Sequence, residues 1–155
     1  MKIIYHCFGG SHSSVTTAAI HLGLLEKGLI PSGQNLMNIP YFDRQTAADH
    51  GIFRFMGLDE EKNEVYIIGR RNYKNFEPLV RGLADMLGIN QEEIVLINTM
   101  PCVTWTMMLG GFLSRKLGWI KLGRPIVIHG TQQAYAQFHT LVDQVKVIIL
   151  KSIKA

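Results

Sequence analysis

The chain has 155 residues, of which 47% are hydrophobic and 18% are charged, and its formal net charge is +4 at pH 7. These values exclude a disordered or low-complexity chain and are typical of one compact domain with a buried core, which we expect to span residues 1–155. The basic residues are scattered and form no stripe interleaved with aromatic residues, so nucleic acid is not the expected partner.

Cysteine usage and the lengths of the apolar runs indicate a compartment. The two cysteines, Cys7 and Cys102, provide no disulfide framework. The apolar run at the N-terminus is too short for the hydrophobic part of a signal peptide, and the apolar stretch 145–150 is too short to span a membrane. We therefore expect a cytoplasmic protein with reduced thiols and without a membrane partner.

The chain begins with a predicted strand followed by a predicted helix. Residues 2–8 are rich in β-formers and lack polar alternation, as in a strand covered on both faces. An apolar stripe then predicts a helix that is capped by Ser13 or Ser14, runs to about Lys27 and is ended by Gly28.

An irregular segment and a hairpin follow. Residues 29–51 contain two prolines and few periodic apolar positions, and a connection of this length is often functional. Asp43 and His50 within it could close over a ligand, although a solvated turn is the simpler interpretation of each. Residues 52–58 and 64–69 alternate around the sequence DEEKN and predict a β-hairpin.

The second half of the chain alternates helices with short apolar strands. Helices are predicted from Asn72 or Asn75 to Gly88, over about 103–117 after Pro101, and from 132 to about 146, and strands at 94–98 (IVLIN) and 125–129 (PIVIH). This alternation predicts an α/β fold, specifically a three-layer α/β/α arrangement with a mostly parallel sheet and a β-hairpin at one edge.

Ligands of such sheets bind beyond the carboxyl ends of the strands. Three predicted loops qualify, and each carries small or polar residues. The candidate ligand-binding residues are Gly9, Gly10, Ser11, Ser13 and Ser14 in the first loop, Asn98 and Thr99 in the second, and His129, Gly130 and Thr131 in the third.

The first loop, CFGGSHSS, carries the strongest signal. Its glycines can expose successive N–H groups, and the following helix N-terminus adds positive charge, so an oxyanion such as phosphate is the matching ligand. The loop lacks the lysine of a Walker A motif and does not fit the GxGxxG dinucleotide fingerprint. Cys7, whose thiolate the same N–H groups would stabilise, and His12, which can be cationic, are the candidate catalytic residues.

The spacing from Cys7 to Ser14 resembles the loop of low-molecular-weight tyrosine phosphatases and arsenate reductases, and that of the IIB components of sugar phosphotransferase systems. The phosphatase pattern has an arginine at the position of Ser13, and no Asp-Pro general-acid segment follows in the C-terminal half. The IIB pattern uses hydroxyl groups instead and matches better. Arg115 is the candidate to supply the missing cation if its helix starts at Gly111.

A wider resemblance rests on the segments YHCFGGSHSS, IPYFD, NTMPC, GGFLSRKLG and IVIHGT, which span nearly the whole chain. Together they are similar to a small bacterial family known as a domain of unknown function. The resemblance implies a bacterial origin, but it implies no activity and no cofactor.

Three functions remain open at this point. The loop could bind a phosphorylated or other anionic small molecule and transfer a phosphoryl or acyl group through Cys7, or it could sense an anion or nucleotide without catalysis. A metal site at Cys7, His12 and His129 is the weakest alternative, because no zinc-type spacing is present, and no metal ligand is predicted. Lys146, Lys151 and Lys154 around the apolar residues 147–150 indicate a contact between two copies in a homodimer.

Overall fold

One open four-stranded sheet forms the centre of the protein, described by a computed structural model that covers residues 1–154, with side chains described for residues 1–151. Strand β1 (Lys2–Cys7) lies between β3 (Glu64–Gly69) and β4 (Ile94–Asn98) and runs parallel to both. Strand β2 (Arg54–Leu58) pairs antiparallel with β3 at the edge. The mostly parallel sheet and its edge hairpin confirm the predicted α/β class.

Helices surround this sheet, and most of them follow the strands as predicted. They are α1 (Ser13–His21), α2 (Gly33–Asn38), α3 (Phe76–Met86), α4 (Trp105–Gly111), a π-helical turn (Phe112–Lys116), α5 (Ile120–Gln133) and α6 (Tyr135–Lys154), with short 3-10 turns at Ala47–Asp49, Gln91–Glu93 and Met100–Cys102. No helix in the described part of the chain is long and apolar enough to cross a membrane.

Alternate side chains of β1 build two separate cores, because successive residues of a strand point to opposite faces. Ile3 and Tyr5 belong to the larger core, which also contains buried residues of α1, α4, α5 and α6. Ile4 belongs to the smaller core with Phe76 and Val80 of α3. The sheet is therefore covered on both faces, and the loops at its carboxyl edge lie between the two layers.

The predicted strand 125–129 is wrong, because this segment lies inside α5. A short apolar run is compatible with a strand or a buried helix, and periodicity within five residues cannot separate them. The buried face of α5 consists of Gly123, Val127, Gly130 and Thr131, which have helical spacing. Because most of these residues are small and not strongly apolar, a hydrophobicity pattern does not reveal this face. The sheet consequently has no strand after β4 in the described part of the chain.

Close helix contacts explain these glycines and Gly110. A Cβ atom on Gly110 would lie 2.4 Å from the backbone nitrogen of Val127, and one on Gly123 would lie 2.3 Å from that of Ser114. Glycine thus lets α4 and the π-helical turn approach the α5 backbone.

Several boundaries also differ from the predictions. Helix α1 ends at His21 rather than Lys27, and its N-cap is His12 rather than Ser13 or Ser14. The irregular segment contains α2, and Phe42 within it is fully buried. The side chain of Lys154, part of the predicted dimer contact, lies outside the described side chains.

Candidate functional site

The Cys7 thiol lies at the carboxyl end of β1 and is held by the loop that follows it. The backbone N–H of Gly10 donates a hydrogen bond to Cys7 Sγ at 3.1 Å, and Ser14 Oγ lies 3.2 Å from the same sulfur atom. The side chain is only 4% exposed. The sulfur therefore lies next to a backbone N–H donor and to the first turn of α1.

Glycine is required where the loop crosses the end of β3. Gly10 has a φ of +67°, and a Cβ atom there would lie 2.6 Å from the backbone nitrogen of Gly69. A Cβ atom on Gly69 would lie 2.6 Å from the carbonyl carbon of Gly9, whereas one on Gly9 itself would meet nothing within 4 Å. The backbone of Arg70 then donates to the carbonyl of Cys7 at 2.9 Å and extends the pairing.

Helix α1 directs unpaired backbone donors towards the loop. Its first intrahelical bond runs from the Thr16 N–H to the His12 carbonyl at 2.8 Å. The N–H groups of Ser13, Ser14 and Val15 precede that bond and have no partner within the helix. They form the set of donors that an oxyanion at a helix N-terminus uses.

The loop after β4 adjoins this helix start. Thr99 Oγ1 donates to Ser13 Oγ at 2.9 Å, and the Thr99 N–H donates to the His6 carbonyl at 3.0 Å. The side chain of Asn98 is occupied in its own turn, where its oxygen accepts from the Met100 N–H at 3.0 Å. Thr99 therefore supports the first loop, and Asn98 shapes the second.

A buried carboxylate joins the first loop to the π-helical turn and α5. Asp43 is 0% exposed, and its Oδ1 atom lies 3.1 Å from His12 Nε2 and 3.0 Å from Arg115 Nε. Its Oδ2 atom lies 2.8 Å from Arg124 Nε, and Ser114 Oγ contacts both oxygens at 2.9 and 3.0 Å. The solvated turn expected for Asp43 is wrong.

The carboxylate is ionised in this setting. Burial would raise the pKa of Asp43, but hydrogen bonds from His12 and Arg124 outweigh it and lower the pKa to about 2. The φ of Asp43 is 49°, in the left-handed region that residues other than glycine seldom adopt. The backbone N–H of Asp43 donates to the Ser11 carbonyl at 3.0 Å, so this conformation is tied directly to the first loop.

The π-helical turn explains how two successive residues reach one carboxylate. The Leu117 N–H donates to the Phe112 carbonyl at 3.1 Å, a bond that spans five residues and widens the helix. Ser114 and Arg115, adjacent in this turn, consequently both contact Asp43. Such turns occur frequently at functional sites.

The third predicted loop does not join the site. The predicted position of His129, Gly130 and Thr131 in a loop at the sheet edge is wrong, because all three lie within α5. Thr131 Oγ1 donates to the Val127 carbonyl at 2.7 Å, and Gly130 packs against the Met107 backbone.

Ser114 and Arg124 were missed as site residues, and Asp43 was considered only as a residue that could close over a ligand. The signals that could have indicated them are their sequence positions. Asp43 lies inside the IPYFD segment, and Ser114 and Arg124 each follow glycines that lie in helices.

The other histidine next to Cys7 lies on the opposite face of the sheet. His6 Nδ1 accepts from Arg70 Nε at 3.1 Å, and His6 Nε2 lies 3.3 Å from a carboxylate oxygen of Glu77. Burial, together with the charge of Arg70, lowers the pKa of His6 to about 4 against the opposing effect of Glu77. Burial raises the pKa of Cys102.

The described residues contain no group of three His, Cys, Asp or Glu side chains that could hold a metal ion.

Comparisons with known proteins place the chain in a family. No curated protein and no solved structure matches it significantly. A family model described as "Protein of unknown function (DUF3189)" matches residues 2–147, nearly the whole chain. The chain belongs to this family of unknown function.

Proposed function

We propose that the loop from Cys7 to Ser14 binds the phosphate-like group of an anionic small molecule and that Cys7 accepts a phosphoryl group from it. The observation that carries this proposal is the Cys7 sulfur within hydrogen-bond distance of the Gly10 N–H and Ser14 Oγ. A sulfur held beside free N–H donors of a helix start can attack a phosphorus whose oxygens those donors bind.

Cys7 reacts as the thiolate, after its thiol proton has passed to water. The reaction forms a bond between Cys7 Sγ and phosphorus and breaks the bond between phosphorus and the leaving oxygen. The leaving oxygen carries away the electron pair of the broken bond and needs a proton unless it is a stable anion. His12 is a residue of the same loop, and its Nε2 atom lies 3.1 Å from Asp43 Oδ1. We assign His12 the role of proton donor to the leaving oxygen. Water or a second substrate then takes the phosphoryl group from the sulfur.

The test is to trap the phosphorylated cysteine. The protein is mixed with p-nitrophenyl phosphate, whose leaving group needs no proton, and the digested peptides are weighed by mass spectrometry. We expect one phosphoryl group on the peptide that contains Cys7, in wild type and in a Cys102→Ser control. The same adduct elsewhere in a Cys7→Ser variant, or no adduct in the wild type, would contradict the catalytic proposal.

Burial of the thiol favours a second candidate function. Cys7 is 4% exposed, which also fits a binding loop that senses an anion without reacting. In that case Cys7→Ser should keep the phosphate affinity of the wild type, and no covalent adduct should form. Retained affinity together with a wild-type adduct would instead support the transfer reaction, with Cys7 dispensable for binding alone.

The proposal also bears on compartment and assembly. Both cysteines are free in the structure, and a nucleophilic thiol needs a reducing compartment, so we propose a cytoplasmic location.

The homodimer stays a prediction, which rests on the half-exposed Val147 and Leu150 beside Lys146 and Lys151 on α6.

A further inference from the structure

Two arginines share one buried carboxylate beside the proposed anion loop. Arg115 and Arg124 both contact Asp43 through Nε, and the described residues offer neither of them a second carboxylate. Because guanidinium groups are always charged, the cluster carries one negative and at least two positive charges. This excess of positive charge next to buried groups favours the binding of an anion.

The arginines also keep donors for a ligand. Neither arginine uses its terminal Nη atoms in a hydrogen bond with the described residues, and their side chains are 21% and 34% exposed. His12, on the same carboxylate oxygen as Arg115, belongs to the anion loop itself. Both guanidinium groups are therefore linked to the anion loop through Asp43.

Buried polar atoms without partners occur in the two segments that meet at Asp43. Ser11 Oγ and both polar atoms of the Gln45 amide have no hydrogen-bond partner, although these residues are only 3% and 4% exposed. Ser11 lies in the anion loop and its carbonyl binds the Asp43 N–H, while Gln45 follows Asp43 by two residues. Buried polar groups without partners are rare in proteins, so a ligand or bound water is expected to satisfy them.

We infer that the site selects a doubly charged tetrahedral oxyanion, the phosphate of a monoester, and that Arg115 and Arg124 bind its second charge while Asp43 positions both arginines. This inference rests on the proposed function and specifies the class of its substrate. The N–H groups of the loop carry only partial positive charge, whereas two guanidinium groups carry full positive charges and therefore favour the dianion more strongly.

The test uses two probes of nearly the same shape and different charge, methyl phosphate and methyl sulfate, at pH 8. We expect the wild type to bind methyl phosphate at least tenfold more tightly than methyl sulfate in isothermal titration calorimetry. Arg124→Gln should reduce this preference to less than threefold, and Arg124→Lys should restore part of it. Arg81→Gln on α3 changes the net charge equally on the opposite face of the sheet and should leave the preference unchanged.

The outcomes separate this inference from the proposed function. If the wild type binds both probes equally, or if folded Arg124→Gln and Arg115→Gln keep the full preference for methyl phosphate, the inference is wrong while the anion loop stands. If neither probe binds, the proposed function fails and the inference fails with it. Thermal unfolding of each variant shows whether lost binding reflects lost folding.

Discussion

At the scale of single residues, neighbours in β1 meet different chemistry because they point to opposite faces of the sheet. Cys7 lies against the loop and α1, where its sulfur accepts from the Gly10 N–H and contacts Ser14 Oγ. His6 packs on the Phe76 ring of α3, with ring centroids 4.8 Å apart, and lies between Arg70 and Glu77. The histidine adjacent in sequence is therefore not a partner of the thiol, whose contacts are the Gly10 N–H and Ser14 Oγ.

The burial of His6 makes stability depend on pH. A histidine ionises near pH 6.5 in the unfolded chain, whereas burial beside Arg70, against the opposing effect of Glu77, lowers the pKa of native His6 to about 4. Between these values the unfolded chain binds more protons, so this contribution to stability is complete above pH 6.5 and is lost as the pH falls towards 4. The His6→Gln variant lacks this titrating group. On going from about pH 7 to about pH 5, we expect the wild type to lose about 2 kcal/mol more of its free energy of unfolding than the variant loses.

Urea denaturation at the two pH values measures this difference. Other buried histidines, such as His21, contribute equally to both proteins and cancel in the comparison. Parallel pH dependences of wild type and His6→Gln would show that His6 does not titrate as described.

At the scale of elements, sequence patterns succeed where turn residues or apolar spacing mark the boundaries. The strands Glu64–Gly69 and Ile94–Asn98 were predicted with their observed bounds, and the apolar spacing of α3 was recognised. The patterns fail for α5, because the face that it buries carries Gly123 and Gly130 where a hydrophobic stripe would be expected. A glycine stripe becomes visible only when the packing partner is known.

The contact between α4 and α5 predicts the effect of adding a methyl group. Gly110→Ala places a Cβ atom 2.4 Å from the Val127 nitrogen, so we expect it to lower the free energy of unfolding by about 2 kcal/mol. Gly82→Ala in the exposed part of α3 meets nothing within 4 Å and should raise the free energy of unfolding by about 0.7 kcal/mol, because alanine favours helix. Urea unfolding of both variants tests the contact, and equal effects would contradict it.

At the scale of the whole molecule, the candidate site joins segments far apart in the sequence. The Cys7 loop could be recognised from its residues because its donors follow one another along the chain. The cluster of Asp43, Ser114 and Arg124 could not be recognised in the same way. Asp43 and Ser114 are 71 residues apart, and no local spacing relates any of the three. Their convergence depends on the π-helical turn and on the glycine contacts of α5, which only the folded chain displays.

The convergence on Asp43 predicts a large loss of stability when its charge is removed. Asp43→Asn leaves Arg115 and Arg124 without a buried counter-charge, and we expect the free energy of unfolding to fall by about 3 kcal/mol. Asp143→Asn breaks the exposed pair with Lys27 and should cost less than about 0.5 kcal/mol. Denaturant unfolding at pH 7 compares the two, and similar small losses would show that the cluster does not hold the fold together.

The anion loop itself is tested most directly by titrating the ¹⁵N-labelled protein with inorganic phosphate and following each backbone amide by NMR. We predict saturable shifts of the Gly10, Ser13 and Ser14 amides in the wild type and in Gly9→Ala, whose Cβ atom meets nothing within 4 Å. The shifts should be lost in Gly10→Ala, where a Cβ atom would lie 2.6 Å from the Gly69 nitrogen. Saturable shifts confined to other regions, or none at all, would contradict the proposal that this loop binds an oxyanion.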